Sequence, residues 1–519
     1  MLEFSPMKIY VPLVFATLSF SLAAQQNPSK MVKTGSVDPR FQSYNVEMVE
    51  VIGGRFWKPY ASKAVAATPS TSATPGGIDP GLFEIRTPIN LAEPKLRKLA
   101  AALGPAYVRV SGTWANTVFF QDSDPPSPKT PPEGFGGVLT RAQWKGVVDF
   151  SKAVDAKIVT SFSTTLGVRD AAGTWTATEG KKFLDYNRSI GGSIAAAEFM
   201  NEPTFVTAAG VPKGYDGAAY GRDYAVFQPF FRKAEPNALL LGPGSVGEGI
   251  DFVPMKLLPS TDLLTAMGPN AVDVFSYHFY GGISERCGTG MGEKSRTSPE
   301  VAMSDEWLSK SGTVEDFYAG LRDKFAANKH VWLTETGQTA CGGDRWAATY
   351  LDSFRYLDQM GSLARRNVQV IMHNTLAASD YALIDEKTLT PRPNYWAALL
   401  WHQTMGTTVL DAGEAPAKTT HVYAQCMKDK PGGVTEMVLN LNRTEAQSFN
   451  VSQKAMRFTL TAEDLMSHSV MLNGKVLMAG ADGSVPMLKG VSEGKGMVKL
   501  PAASITFLTF ADANNQACQ

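Results

Sequence analysis

What this sequence lacks narrows it first. Over 519 residues, Lys+Arg and Asp+Glu both number 49, so neither sign of charge is in excess. A polyanion such as nucleic acid finds no overall attraction here. Cysteine is scarce: Cys287, Cys341, Cys426 and Cys518 are all there is. They form no Cys-x-x-Cys and no zinc-type spacing, and Asp and His never fall in a metal-ligand pattern, so neither a metal nor an organic cofactor is expected. No stretch beyond the N-terminus is apolar for long enough to cross a membrane. Repeats of the solenoid kind are absent.

What is present points outward from the cell. Met7-Lys8 is followed by the apolar run Ile9–Leu22 and the small residues Ala23-Ala24. That order is the layout of a secretory signal, read over residues 1–24, and the run is short for a spanning anchor. Four cysteines suit an oxidising compartment, but they allow three pairings and the spacing selects none. Sequons stand at Asn187, Asn442 and Asn450. Aromatic residues make up 10% of the chain, with nine Trp, which suits a sugar-binding protein as well as an ordinary large enzyme.

The pattern along the chain divides in two. Residues 25–42 are polar and extended, with a strand that could join a later sheet. From residue 43 to 405, short apolar runs alternate with helical periodicity. The strand readings are Phe41–Ile52, Tyr107–Gly112, Lys157–Ser163, Ala195–Phe205, Ala238–Gly244, Val272–Tyr280, Val331–Thr336 and Val368–Asn374. Helices are read between them, among them Thr140–Val154, Tyr220–Ala234 and Ala347–Arg366. Eight strand-then-helix units predict a (β/α)8 TIM barrel. Residues 406–519 change texture. Strand-like runs recur every eight to twelve residues, separated by turns such as Asn473-Gly474, and predict an all-β sandwich. Ala61–Pro80 reads as a loop or insertion, and the longer Gly53–Ile85 insertion and the Pro-rich Gln121–Phe135 loop could wall one end of a cleft.

Two of the barrel strands end on a carboxylate. Ala195–Phe205 closes on Asn201-Glu202-Pro203, where proline, having no amide proton, is expected to stop the sheet. His330–Gly337 carries Glu335. Carboxylates at the C-terminal ends of barrel strands sit where such barrels keep their chemistry. Two of them suit glycoside hydrolysis, in which one carboxyl protonates the leaving oxygen and the other attacks or activates water. The structural alternative is that each only caps the next helix.

Val331–Met405, Ala106–Phe120 and Ser276–Tyr280, taken with Asn201-Glu202-Pro203, resemble glycoside hydrolase family 79, the family of heparanase and related β-glucuronidases. The resemblance implies a retaining enzyme of clan A acting on β-linked glucuronic acid, plain or 4-O-methylated. By that likeness Glu202 is the acid/base and Glu335 the nucleophile. Glu202 must then be held protonated by burial and by the anion of Glu335. The resemblance further assigns Asn201 to the sugar 2-hydroxyl, Tyr280 to Glu335, and Glu47 and Thr113 to the same subsite. His278 is expected to orient Tyr280 or a carboxylate, and Arg109 to neutralise the cluster. Gly342, Gly343 and Tyr381 match the group that reads the uronate carboxylate. Cys426 and Cys518 match a family cysteine pair. Cys287 and Cys341, placed on neighbouring loops, are a hypothetical second bridge. The regions after Asn201-Glu202-Pro203 and around Gly244–Gly249 lack the basic residues a sulfated polymer would need. A secreted enzyme removing terminal glucuronic acid from a glycan or glycoside is therefore expected, without an obligate protein partner. A neutral-sugar glycosidase of the same clan, an endo-acting enzyme and a non-catalytic carbohydrate-binding protein are the alternatives.

Overall fold

The computed structural model describes residues 27–60, 79–124, 126, 128, 130–250, 256–288 and 293–519. The proposed signal segment and most of Ala61–Pro80 lie outside them. Eight parallel strands close into a barrel: β1 (Gln42–Asn45), β2 (Ala106–Val110), β3 (Ala156–Ser161), β4 (Ile194–Glu198), β5 (Leu239–Ser245), β6 (Val274–Tyr280), β7 (His330–Gly337) and β8 (Val368–His373). Helices such as Arg141–Ala153, Gly217–Ala234, Lys310–Phe325 and Tyr350–Arg365 run between them. Among the described residues, no helix is long and apolar enough to cross a membrane.

The interior is layered because strand side chains alternate. Tyr107, Ala196, Val274, Trp332 and Val370 pack together as an apolar floor. Two residues further along those strands stand Arg109, Glu198, Ser276 and Thr334, all fully buried and all polar. This second layer carries the site.

Two strand readings are corrected. The run Phe41–Ile52 is not one strand: pairing ends at Asn45, and Met48–Ile52 is a helix. The alternation of Met48, Val49 and Val51 imitates a strand. A carboxylate three residues on, Glu50, accepts the amide proton of Glu47 at 2.7 Å and closes a helical turn instead. Pairing in β4 likewise stops at Glu198, well before Pro203. Asn116 takes over from the sheet there, accepting the N–H of Asn201 and donating to its carbonyl, both at 2.9 Å. Glu202 then turns with a positive φ of 47°.

Helix Pro393–Thr404 runs directly into strand Met405–Leu410, which begins the second sheet system. Strand Lys33–Ser36 joins it from the N-terminal side. The central strands of the large sheet are buried on both faces, and alternation divides them between two cores. Met437, Leu439, Ile505 and Phe507 pack with the barrel helices. Val438, Leu508 and Phe510 pack instead on Phe449, Val451, Val498 and Leu500 of a two-stranded sheet. One of those two strands, Gln447–Val451, is missed by pattern reading because it carries only two inward apolar residues. Disulfides join Cys426 to Cys518 and Cys287 to Cys341, resolving the three possible pairings.

Candidate active site

At the C-terminal mouth of the barrel lies a cavity of about 810 Å³. Its deep end is lined by Glu47, Glu202, His278, Tyr280, Glu335, Asn374 and Tyr381, with Thr113 on the side of β2. Beneath them Arg109 is the hub. It donates to Glu335 Oε2 at 2.8 Å, to Glu198 Oε2 at 2.9 and 3.2 Å, and to Asn201 Oδ1 at 2.8 Å. Burial opposes its charge, yet Glu198 and Glu335 outweigh that and hold the guanidinium above its ordinary range. In turn, burial works against ionisation of Glu198, but Arg109, His278 and the Thr334 hydroxyl keep it below the usual carboxylate range.

Glu335 is aimed inward by a bulge. Tyr277 pairs with Leu333, but the next pair is His278 with Glu335, so Thr334 is the extra residue. Thr334 and Glu335 therefore both face the barrel axis, which simple alternation forbids. Thr334 Oγ1 donates to Glu198 Oε1 at 2.7 Å. The Glu335 oxygens accept from Arg109 and, at 2.7 Å, from Tyr280.

His278 has a defined tautomer. An arginine only donates, so the 3.2 Å contact from Arg109 Nη2 makes Nε2 of His278 the acceptor. Its single proton is on Nδ1, 3.0 Å from Glu202 Oε1, and is donated there. Burial lowers the imidazole to about 4, which keeps it neutral in this role. Because Oε1 is occupied, the acidic proton of Glu202 belongs on Oε2. Burial pushes Glu202 up to about 7, with Glu198 adding to the shift and Arg109 opposing it. Glu198 is thus an anionic neighbour of Glu202 that the sequence reading, which named Glu335, did not include. One oxygen of Glu202, one nitrogen of His278 and one oxygen of Glu335 lie within 4.8 Å of one another. A cation could be held at such a distance, but both Glu335 oxygens already accept hydrogen bonds, one from a guanidinium.

Glu47 caps its short helix from inside the cavity. Its Oε2 lies where a Cβ on Gly112 would stand, 1.5 Å from that position, and Gly112 has φ +89°. Only glycine fits there. Burial first, and then the Glu335 charge, raise Glu47 well above the usual carboxylate range. Tyr381 lines the cavity and its hydroxyl accepts from Asn374 Nδ2 at 3.1 Å, while the same amide donates to Tyr280 at 3.0 Å.

Two expectations change. Gly342 and Gly343 do not line the cavity; Ala340 and Cys341 do. The Gly343 amide donates to the Thr339 carbonyl, and the positive φ of both glycines serves close packing on Trp57, Ser379 and Ala347. Asn201 is also buried beneath the wall, its side chain shared between Arg109 and Glu202. Residues given no role from sequence are Glu198, Asn374 and Arg286. The signal for Glu198 was a charge inside the apolar run Ala195–Phe199. Asn374 and Arg286 carried no such signal. Arg286 is the one cation among the described lining residues apart from the neutral His278, and it is paired with Asp380.

Comparison with known proteins agrees with this geometry. The family model "Glycosyl hydrolase family 79, N-terminal domain" matches residues 86–361. Heparanase-like protein 1 of Arabidopsis thaliana is 28% identical over 485 residues, covering 83% of this chain and 86% of that protein. The hyaluronoglucuronidase of Hirudo nipponia is 26% identical over 502 residues, covering 88% and 98%. A 4-O-α-L-rhamnosyl-β-D-glucuronidase from Fusarium oxysporum shares the fold, with TM-score 0.60 and 16% identity over 94% of this chain and 99% of that one.

Proposed function

We propose that this chain, which belongs to glycosyl hydrolase family 79, is a secreted retaining β-glucuronidase that releases terminal glucuronic acid. The observation that carries the reading is the pair Glu202 and Glu335, whose nearest oxygens lie within 4.8 Å. Retaining enzymes hold their carboxyls about 5–5.5 Å apart, whereas inverting ones leave about 6.5–9.5 Å for a water.

In the first step Glu335 attacks the anomeric carbon while Glu202 gives its Oε2 proton to the glycosidic oxygen. The C–O bond breaks, the alcohol leaves, and a glycosyl ester forms on Glu335. Glu202, now ionised, takes a proton from water as that water attacks the same carbon, and Glu335 is freed. Arg109 and Tyr280, each donating to one Glu335 oxygen, hold the carboxylate in position to attack. His278, neutral and protonated on Nδ1, holds Glu202 in place through both steps. Asn201, buried beneath the wall, positions Arg109 and Glu202, and Glu47 and Thr113 serve sugar hydroxyls on the facing wall.

For the uronate, Tyr381 is the reader. Its hydroxyl accepts from Asn374 and keeps its own proton for a ligand. Arg286 adds positive potential on that side of the cavity. The Gly342–Gly343 turn contributes by packing against Tyr381, the Gly343 amide being taken up by the Thr339 carbonyl. Phe56, Trp57, Asp79 and Leu82, from the insertion after β1, line the cavity there, and a wall on that side supports removal of a terminal sugar. No described residue of Gln121–Phe135 lines the cavity. Two disulfides favour an oxidising compartment outside the cytoplasm.

Hydrolysis of an aryl β-D-glucuronide, beside the matching glucoside and xyloside and with Glu335→Gln as control, tests the reading. Turnover of the glucuronide alone, lost in the variant, is expected. Turnover of the neutral sugars instead would remove Tyr381 as carboxylate reader and leave a general glycosidase.

A further inference from the structure

The leaving group sits on the Glu202 side, because Glu202 protonates its oxygen. The wall there comes from the loops after β4 and β5. Thr204 ties the two loops together, its Oγ1 donating to the Val246 carbonyl at 2.9 Å and accepting the Val246 N–H at 3.0 Å. The Leu258 N–H closes the same seam on the Thr204 carbonyl at 2.9 Å. The apolar side chains this wall presents are Phe205, Ala208, Val246, Ile250 and Leu257, with Val314 behind them and the hydroxyl of Thr207 among them. The one charged residue among its described lining is Glu248, which accepts from the amide and hydroxyl of Ser260. Lys213 and Lys256, the described basic residues of the two loops, are exposed and do not line the cavity.

Resting on the glucuronidase reading above, we infer that this wall is an aglycone pocket for an uncharged, largely hydrocarbon alcohol or phenol. A sulfated or uronate-bearing chain would bring an anion against Glu248 and leave it without a cation, a costly desolvation in a mostly apolar pocket. A hydrocarbon aglycone would instead bury itself against six apolar side chains, and each methylene removed from water adds roughly fourfold in binding. The pocket is continuous with the catalytic carboxylates, so that binding can be used in the transition state.

The test uses methyl, butyl and hexyl β-D-glucuronides and the matching β-D-glucosides with the full chain. Their alcohols are of nearly equal acidity, so leaving-group chemistry stays constant along each series. A rise in kcat/KM of at least tenfold from methyl to hexyl, about 1.4 kcal/mol, is expected. Phe205→Ser and Ile250→Glu should each lower the hexyl-to-methyl ratio severalfold; the wild-type series decides the matter should either variant not fold. The same rise among glucosides, with silent glucuronides, would uphold the aglycone pocket and overturn the uronate reading. A flat or falling glucuronide series would overturn the pocket and leave the uronate reading intact. Turnover of heparan sulfate or hyaluronan oligosaccharides with silence on both alkyl series would overturn the pocket. Silence on every substrate would overturn both proposals.

Discussion

The floor of the cavity and its leaving-group wall are built on opposite principles. Side chains at the floor rise from strands and are bound to one another: Arg109 alone reaches Glu198, Glu335, Asn201 and His278. Position, tautomer and charge are fixed together, so one change there disturbs every partner. The wall rises from loops, and most of its side chains are apolar. Its selectivity acts through shape and the exclusion of charge, and single changes should be absorbed more locally. On the proposed function, chemistry resides in the rigid network and specificity in the loops, the usual division in this type of barrel.

The sharpest way to break that contrast is at the nucleophile. Glu335→Gln should cost at least about 10⁴-fold in turnover of any accepted glycoside, since no other floor group can form the ester. Single-turnover assays check it, and residual activity near wild type would place the nucleophile elsewhere. Glu202→Gln should cost about 10²–10⁴-fold on alkyl glycosides and far less on aryl glycosides with acidic leaving groups. In the wild type, kcat/KM should fall as pH rises through about 7, where Glu202 loses the proton it must donate. That limb should vanish in the variant, which a pH–rate profile would show.

Next comes the network itself. Arg109→Met leaves Glu198 buried without its cation and should cost about 3–5 kcal/mol of stability as well as activity; urea unfolding measures the first. A comparable change in the wall, Val246→Thr, should move stability by much less. Tyr381→Phe removes the free hydroxyl proton. It should lower kcat/KM for glucuronides by about 10–100-fold, the worth of a hydrogen bond to a charged group, and leave any glucoside activity unmoved. Equal losses on both sugars would make Tyr381 a packing residue.

The smallest effect lies behind the floor, at Glu50. Burial raises this carboxyl to about 8 in the folded protein, against its ordinary 4.5. The folded state thus holds the proton longer than the unfolded chain. Stability contributed by the neutral form is complete below about 4.5 and falls as pH rises to about 8. Glu50→Gln keeps an oxygen for the Glu47 amide and should flatten that part of the melting-temperature profile, raising it by a few degrees at neutral pH.

Much of this was legible in the chain. Period-two runs alternating with helical ones specify a barrel, and a carboxylate closing an apolar run marks a strand end facing the site. Glu202, Glu335, Tyr280, Tyr381, Thr113 and Glu47 were all nameable, and all line the cavity. Reading failed where local pattern and tertiary demand part. Met48–Ile52 alternates like a strand, but a capping carboxylate makes it a helix. Gly342-Gly343 could serve a ligand or a tight packing contact, and the two uses look alike until Trp57 is seen against them.

By itself the sequence determined the layer order of the molecule, because side-chain periodicity is a property of the chain and burial follows it. It also determined which carboxylates stand near the C-terminal ends of two strands, Glu202 just past β4 and Glu335 two residues before the end of β7. Only the tertiary structure decided what those carboxylates are. The Thr334 bulge turns Glu335 inward against the alternation. Arg109, from a distant strand, holds Glu198 ionised, while Glu202, four residues along the same segment, is left protonated near neutral pH. Proton affinity depends on distances to charges and to water, and closing the barrel sets both.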